Sequence, residues 1–206
     1  MSCATSIRRL GLAAASLVGF SLLADAALAQ APSGGGALSA GARAAMAAQG
    51  SSASAALREL DTLQRAVTDA WTRMPLTQRR AIFVAEKPEL YGAYTERKSN
   101  VFAPGEPLVT YVEPVGYTWA AVADGEVEFG VTVDFTLKTP DGKILGGQEG
   151  FANTVLRSRY KNQEFMLTLT LNASGLTAGD YVLAYTLHDR GSTKTSSFEQ
   201  PFKIGG

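Results

Sequence analysis

Between residues 127 and 138 the chain alternates without a break: Val127, Phe129, Val131, Val133, Phe135 and Leu137 are apolar, while Glu128, Gly130, Thr132, Asp134, Thr136 and Lys138 between them are polar or small. Successive side chains of a strand point to opposite faces, so this run has one face for a core and one for water. A sheet with one apolar face needs a second layer against it. The same period recurs downstream. Phe165, Leu167, Leu169 and Leu171 alternate with Met166, Thr168 and Thr170, and Tyr181, Leu183, Tyr185 and Leu187 alternate with Val182, Ala184, Thr186 and His188. Phe198, Phe202 and Ile204 complete the set, and shorter candidates cover 80–86, 90–97, 108–113 and 143–152. Turn chemistry divides them at Ala103-Pro104-Gly105-Glu106, Thr139-Pro140-Asp141-Gly142, Thr177-Ala178-Gly179-Asp180 and Asp189-Arg190-Gly191-Ser192. About seven or eight short strands at such intervals make an all-β sandwich or barrel.

One segment narrows the choice. Leu176-Thr177-Ala178-Gly179-Asp180-Tyr181, leading into an alternating strand, resembles the tyrosine corner of immunoglobulin-like and fibronectin-type-III domains. The resemblance covers roughly residues 86–204 and implies an antiparallel, immunoglobulin-like β-sandwich, with Tyr181 opening the penultimate strand and its hydroxyl bonded to nearby backbone. Where antibody domains carry a cysteine two residues on, this chain has Leu183, so it lies outside the antibody family proper. Phe102-Ala103-Pro104-Gly105-Glu106 and the C-terminal tail also resemble those of uncharacterised secreted bacterial proteins, a likeness that implies no function.

Ahead of the strands the character changes twice. Arg8 and Arg9 precede an apolar run from Leu10 to Leu23, followed by Ala27-Leu28-Ala29, which predicts a signal peptide over residues 1–29. The run is broken by Gly11, Ser16, Gly19 and Ser21 and is shorter than the roughly 20 residues of a membrane span, so cleavage is expected rather than anchoring. Cleavage would remove Cys3, the one cysteine, along with Arg8, Arg9 and Asp25. The 19 basic and 19 acidic residues then become 17 and 18, a balance near −1 that favours neither nucleic acid nor an anionic membrane as partner. A periplasmic or secreted location follows.

Residues 30–53 are almost entirely Ala, Gly, Ser and Pro and read as a flexible spacer. In residues 54–75, Leu57, Leu60, Leu63, Val67, Trp71 and Met74 recur at three- and four-residue steps, which predicts one amphipathic helix, capped by Ser54 and ended at Met74-Pro75. Three destinations stand for its stripe: the sandwich, a second copy of the chain, or another partner. Residues 76–206 form the sandwich domain.

No catalytic constellation emerges. His188 stands beside Asp189 with neither a thiol nor a serine in nucleophile context, and the carboxylates occur singly at turns or on wet strand faces. Gly146-Gly147-Gln148-Glu149-Gly150 lacks the lysine and spacing of a phosphate loop and reads as a bulge or a bent strand. No cofactor, no metal and no enzymatic activity are expected. The remaining candidate is geometric. Consecutive antiparallel strands gather alternate loops, here 114–125, 153–162 and 190–194, at one end of the domain. That end would present Tyr117, Trp119, Arg157, Arg159, Tyr160 and Arg190, with Lys161, a set suited to a protein or an anionic envelope polymer. The competing reading places Trp119 in the core and Arg157 and Arg159 on the solvated face of a strand end. The function expected is therefore a non-catalytic interaction module of the envelope; an accessory or inhibitor-like subunit of an envelope enzyme, or a structural spacer, stands as the alternative.

Overall fold

The computed structural model describes residues 39–206; the signal peptide expected over 1–29 and the first part of the expected spacer lie outside the described residues. Two compact units divide the chain, Met1–Ala48 and Gln49–Gly206. The first contributes to the description only the opening turns of α1 (Ala40–Arg73), and the rest of α1 and every strand belong to the second.

Helix α1 begins fourteen residues ahead of the expected start at Ser54, at Ala40, where the Ser39 hydroxyl accepts a hydrogen bond from Ala42 N at 3.2 Å. This corrects the reading of residues 40–53 as flexible spacer. Seven of these residues are Ala, the strongest helix former, and propensity prevails over the lack of large side chains.

The strands are β1 (Thr77–Phe83), β2 (Val101–Phe102), β3 (Pro107–Val115), β4 (Ala120–Ala121), β5 (Val127–Lys138), β6 (Ile144–Ser158), β7 (Leu167–Asn172), β8 (Gly179–Asp189) and β9 (Thr195–Ile204). They form two sheets, one ordered β1-β3-β7 and a six-stranded one ordered β2-β9-β8-β5-β4, with β6 also paired to β5. All pairings are antiparallel except the short β2–β9 contact. The chain is thus mostly β, two sheets around one core, as a β-sandwich requires. The expected strand at 90–97 is absent: that segment makes only the isolated bridges Val84–Glu96 and Leu90–Ala93. Instead it lies over β3, where Gly92 N donates to the Tyr111 hydroxyl and the Tyr94 and Tyr111 rings are 4.5 Å apart.

Period two decides which side chains are inside. Strand β8 alternates buried and half-buried residues along its length, and Phe129, Val131 and Val133 of β5 meet Leu183, Tyr185 and Leu187 of β8, Leu167 and Leu169 of β7, and Phe202 and Ile204 of β9. Each such side chain contributes about 1.5–3 kcal/mol. A buried hydrogen bond crosses the core between sheets, from Thr110 Oγ1 on β3 to Gln200 Oε1 on β9 at 2.8 Å. Nearby, the Tyr185 hydroxyl is buried with no hydrogen-bond partner among the described residues, and burial raises its pKa.

Two turns read from sequence have structural causes. Gly105, at φ +78°, follows Pro104 in a turn closed by Glu106 N to Ala103 O, and the Glu106 carboxylate caps Ala103 N at 2.8 Å while pairing with Arg97 at 2.7 Å. The Ala103 amide, followed by Arg97, keeps the Glu106 carboxyl below the ordinary range. At the same end of the domain, where Phe102 and Gly179 both pair with Ile204, Tyr181 opens the core face of β8 and its hydroxyl donates to Thr177 O at 2.9 Å. Replacing Tyr181 with Phe removes that bond and keeps the ring, so unfolding free energy is expected to fall by about 1 kcal/mol. A denaturation midpoint equal to wild type would show that the corner contributes nothing.

Candidate functional site

The glycine-rich segment of β6 forms a bulge, as its composition suggests: the β5–β6 register shifts between Val133 and Phe135, and Gly150 N donates to Asp134 Oδ1 at 2.7 Å. That bond, followed by His188, lowers the Asp134 pKa. His188 Nε2 lies 2.7 Å from Asp134 Oδ2 across β8 and β5, a hydrogen bond on the wet face of the sheet. Among the described residues no three His, Cys, Asp or Glu side chains converge as metal ligands, and no helix is long and apolar enough to cross a membrane.

The loop end of the sandwich differs from its expected form in its two most important members. Tyr117 and Trp119 are not at the surface. Both are buried, and both donate to one acceptor, the Asn162 carbonyl, at 2.8 and 2.9 Å. Trp71, the one buried residue of α1, packs against them, edge-on to Tyr117 at 5.1 Å and stacked on Trp119 at 5.3 Å, and donates from Nε1 to Tyr117 O at 2.9 Å. Three large rings in the 114–125 segment and the helix end are therefore consumed in docking α1 and the 159–164 loop onto the sandwich. An aromatic side chain buries far more stabilising area inside than it could gain at a wet loop.

Gly116 permits the approach. It sits at φ +79°, and a Cβ there would fall 2.2 Å from Pro75 O, just past the helix. Lys194 Nζ donates to Gly116 O at 2.8 Å, and the buried Asp189 carboxylate accepts from Thr118 N, Gly191 N and the Ser192 hydroxyl. The three loops expected to meet do meet, but through buried polar bonds.

The remaining members stay exposed and separate. Arg157 lies within β6 and pairs with Glu128 of β5 at 2.9 Å; Arg190 donates to Asn153 Oδ1; Arg159 donates to Asp124 O. Their guanidinium groups are engaged locally and do not converge. Tyr160 is 78% exposed and lies with Lys161 along a polar groove whose other wall is α1 at Gln64 and Thr68.

Helix α1 supplies what the loop end lacks. Leu60, Leu63 and Val67 are 48, 58 and 47% exposed, flanked by exposed Leu57, Ala56, Ala70 and Met74. The stripe predicted from spacing is present, but Trp71 alone carries it to the sandwich. The sequence also left unnoticed a buried carboxylate: Glu113 of β3 accepts from Tyr111 and Tyr91, and Arg79 donates to Tyr91. Burial, then Glu113, raises Tyr111 to about 12, although Gly92 N opposes the rise. All these groups are satisfied by one another, and they pin the 85–96 segment over β3.

No protein-family model matches this chain, and no curated protein matches it either.

Proposed function

We propose that the chain is an exported, non-catalytic interaction module of the periplasm or cell exterior, in which an immunoglobulin- or fibronectin-III-like sandwich carries a helix that receives a protein partner. The observation that carries this reading is the exposed apolar seam Leu60, Leu63 and Val67. Contiguous apolar exposure of this kind on an ordered helix marks interaction surfaces, and the sandwich core is complete without it. The family-level assignment draws support from strand order. With the two-residue β2 and β4 set aside, the sets β1-β3-β7 and β9-β8-β5-β6 are compatible with a two-sheet Greek-key sandwich, and the Tyr181–Thr177 bond supports the reading of a tyrosine corner. Export rests on Arg8, Arg9 and the apolar run behind them.

The test is crosslinking in the cells that make the full-length protein, comparing wild type with a Leu60→Ser, Leu63→Ser variant and an Arg159→Ala, Tyr160→Ala variant. Complexes, whether with other proteins or with further copies of the chain, are expected with wild type and the loop variant and lost with the helix variant. Equal recovery in all three would remove the helix from the function; loss only in the loop variant would return it to the end of the sandwich.

A further inference from the structure

The seam has a heptad register. With Leu60, Val67 and Met74 at a, the d positions are Ala56, Leu63 and Ala70; all six are exposed, while Trp71, at e, turns toward the sandwich. Met74 lies just past α1, held on its last turn by Met74 N to Trp71 O. The surface free to meet another helix is thus the two-position stripe of a coiled coil, displaced around the helix from Trp71 and reaching the sandwich only at Met74, whose Cβ lies beside Gly116.

Sizes along that stripe discriminate between arrangements. In a parallel pair each layer joins a residue to its own copy, so Ala56 and Ala70 would face themselves and leave gaps between layers of Leu60 and Met74. In an antiparallel pair each a position meets a d position. Leu60 then faces Ala70 of the second copy, Val67 faces Leu63, and Met74 faces Ala56, so no layer joins two alanines and the large and small side chains interdigitate. This same register brings the g positions opposite one another, which places Glu59 of each copy beside Arg73 of the other. Both are exposed and neither has an ion-pair partner among the described residues. The parallel arrangement sets Glu59 against the neutral Gln64 instead.

We infer that the occupant of the helix seam is a second copy of this chain, and that residues 56–74 of the two copies pair antiparallel with Glu59–Arg73 bonds on both flanks. The inference rests on the helix being the interaction surface and adds which partner it takes and in what orientation. Two copies paired this way carry their sandwiches at opposite ends of the shared helical segment.

Sedimentation velocity on the full-length protein over a concentration series tests it, with Glu59→Arg, Arg73→Glu and the double variant beside wild type. Both residues are exposed, and unchanged near-ultraviolet circular dichroism checks that each variant keeps its fold. A wild-type dimer is expected. Each single reversal should weaken it about tenfold, because two attractions become two repulsions, and the double reversal should restore it. Monomeric sedimentation of wild type throughout the series overturns the inference, and a dimer indifferent to the reversals overturns the antiparallel register. Either failure leaves the broader reading distinguishable: seam-dependent crosslinks to a different protein would persist without self-pairing, whereas their absence together with a monomer would remove both.

Discussion

Trp71→Ala is expected to release α1 from the sandwich and to lower unfolding free energy by about 3–5 kcal/mol, the range for truncating a buried tryptophan. Trp71 is 4% exposed and is the helix's one buried residue, so no neighbouring helical side chain compensates for it. Truncation removes the edge contact with Tyr117, the stacking on Trp119 and the hydrogen bond to Tyr117 O. For a domain of this size the melting temperature should fall by roughly 10 °C. The accompanying sign is local: trypsin should cut at Arg65 and Arg73 under conditions in which wild type resists, while the sheets stay folded. A variant with wild-type melting and the same protease resistance would show that the ring cluster does not hold the helix.

The second large effect is expected at Asp189. Its carboxylate is buried and accepts from two backbone amides, Thr118 N at 3.1 Å and Gly191 N at 3.2 Å, as well as from the Ser192 hydroxyl. Hydrogen bonds to a charged group contribute about 1.5–3 kcal/mol each, and amides left buried without an acceptor add to the cost. Asp189→Ala should therefore cost about 3 kcal/mol or more, and Asp189→Asn, which keeps one acceptor oxygen, should cost less. Arg190→Ala, next to it but exposed, is expected within about 0.5 kcal/mol of wild type. Urea denaturation of the three variants decides it; an Asp189→Ala midpoint no lower than that of Arg190→Ala would show that the carboxylate is not the clasp of the 114–125 and 190–194 loops.

These two residues show how unevenly the chain reveals itself. Asp189 was legible only as a turn former, because a sequence shows that Asp precedes Arg190-Gly191 but not that Thr118, 71 positions away, supplies its other partner. Tyr117 and Trp119 have the residue types that dominate binding surfaces and the same residue types that fill cores. Only their shared acceptor at Asn162 and the arrival of Trp71 settle which. Strand β3 shows in the sequence only as the shorter candidate at 108–113, for a related reason. Its second half, Thr110–Val115, is buried on both faces because the 85–96 segment covers the outer one, so the alternation that exposes β5 and β8 in the sequence is missing there.

By itself the sequence determined that residues 127–138, 165–171 and 181–188 are strands with one apolar face, that Tyr181 sits at a corner, and that a helix with a single stripe precedes the sheets. Period and turn chemistry are local, and local energetics govern them. Only tertiary structure decided where the helix begins to be useful, which aromatic rings are inside, and that the stripe of α1 is left open while Trp71 is taken. Each of these depends on which distant segment covers a given surface, and burial, a non-local quantity, is what stabilises the outcome.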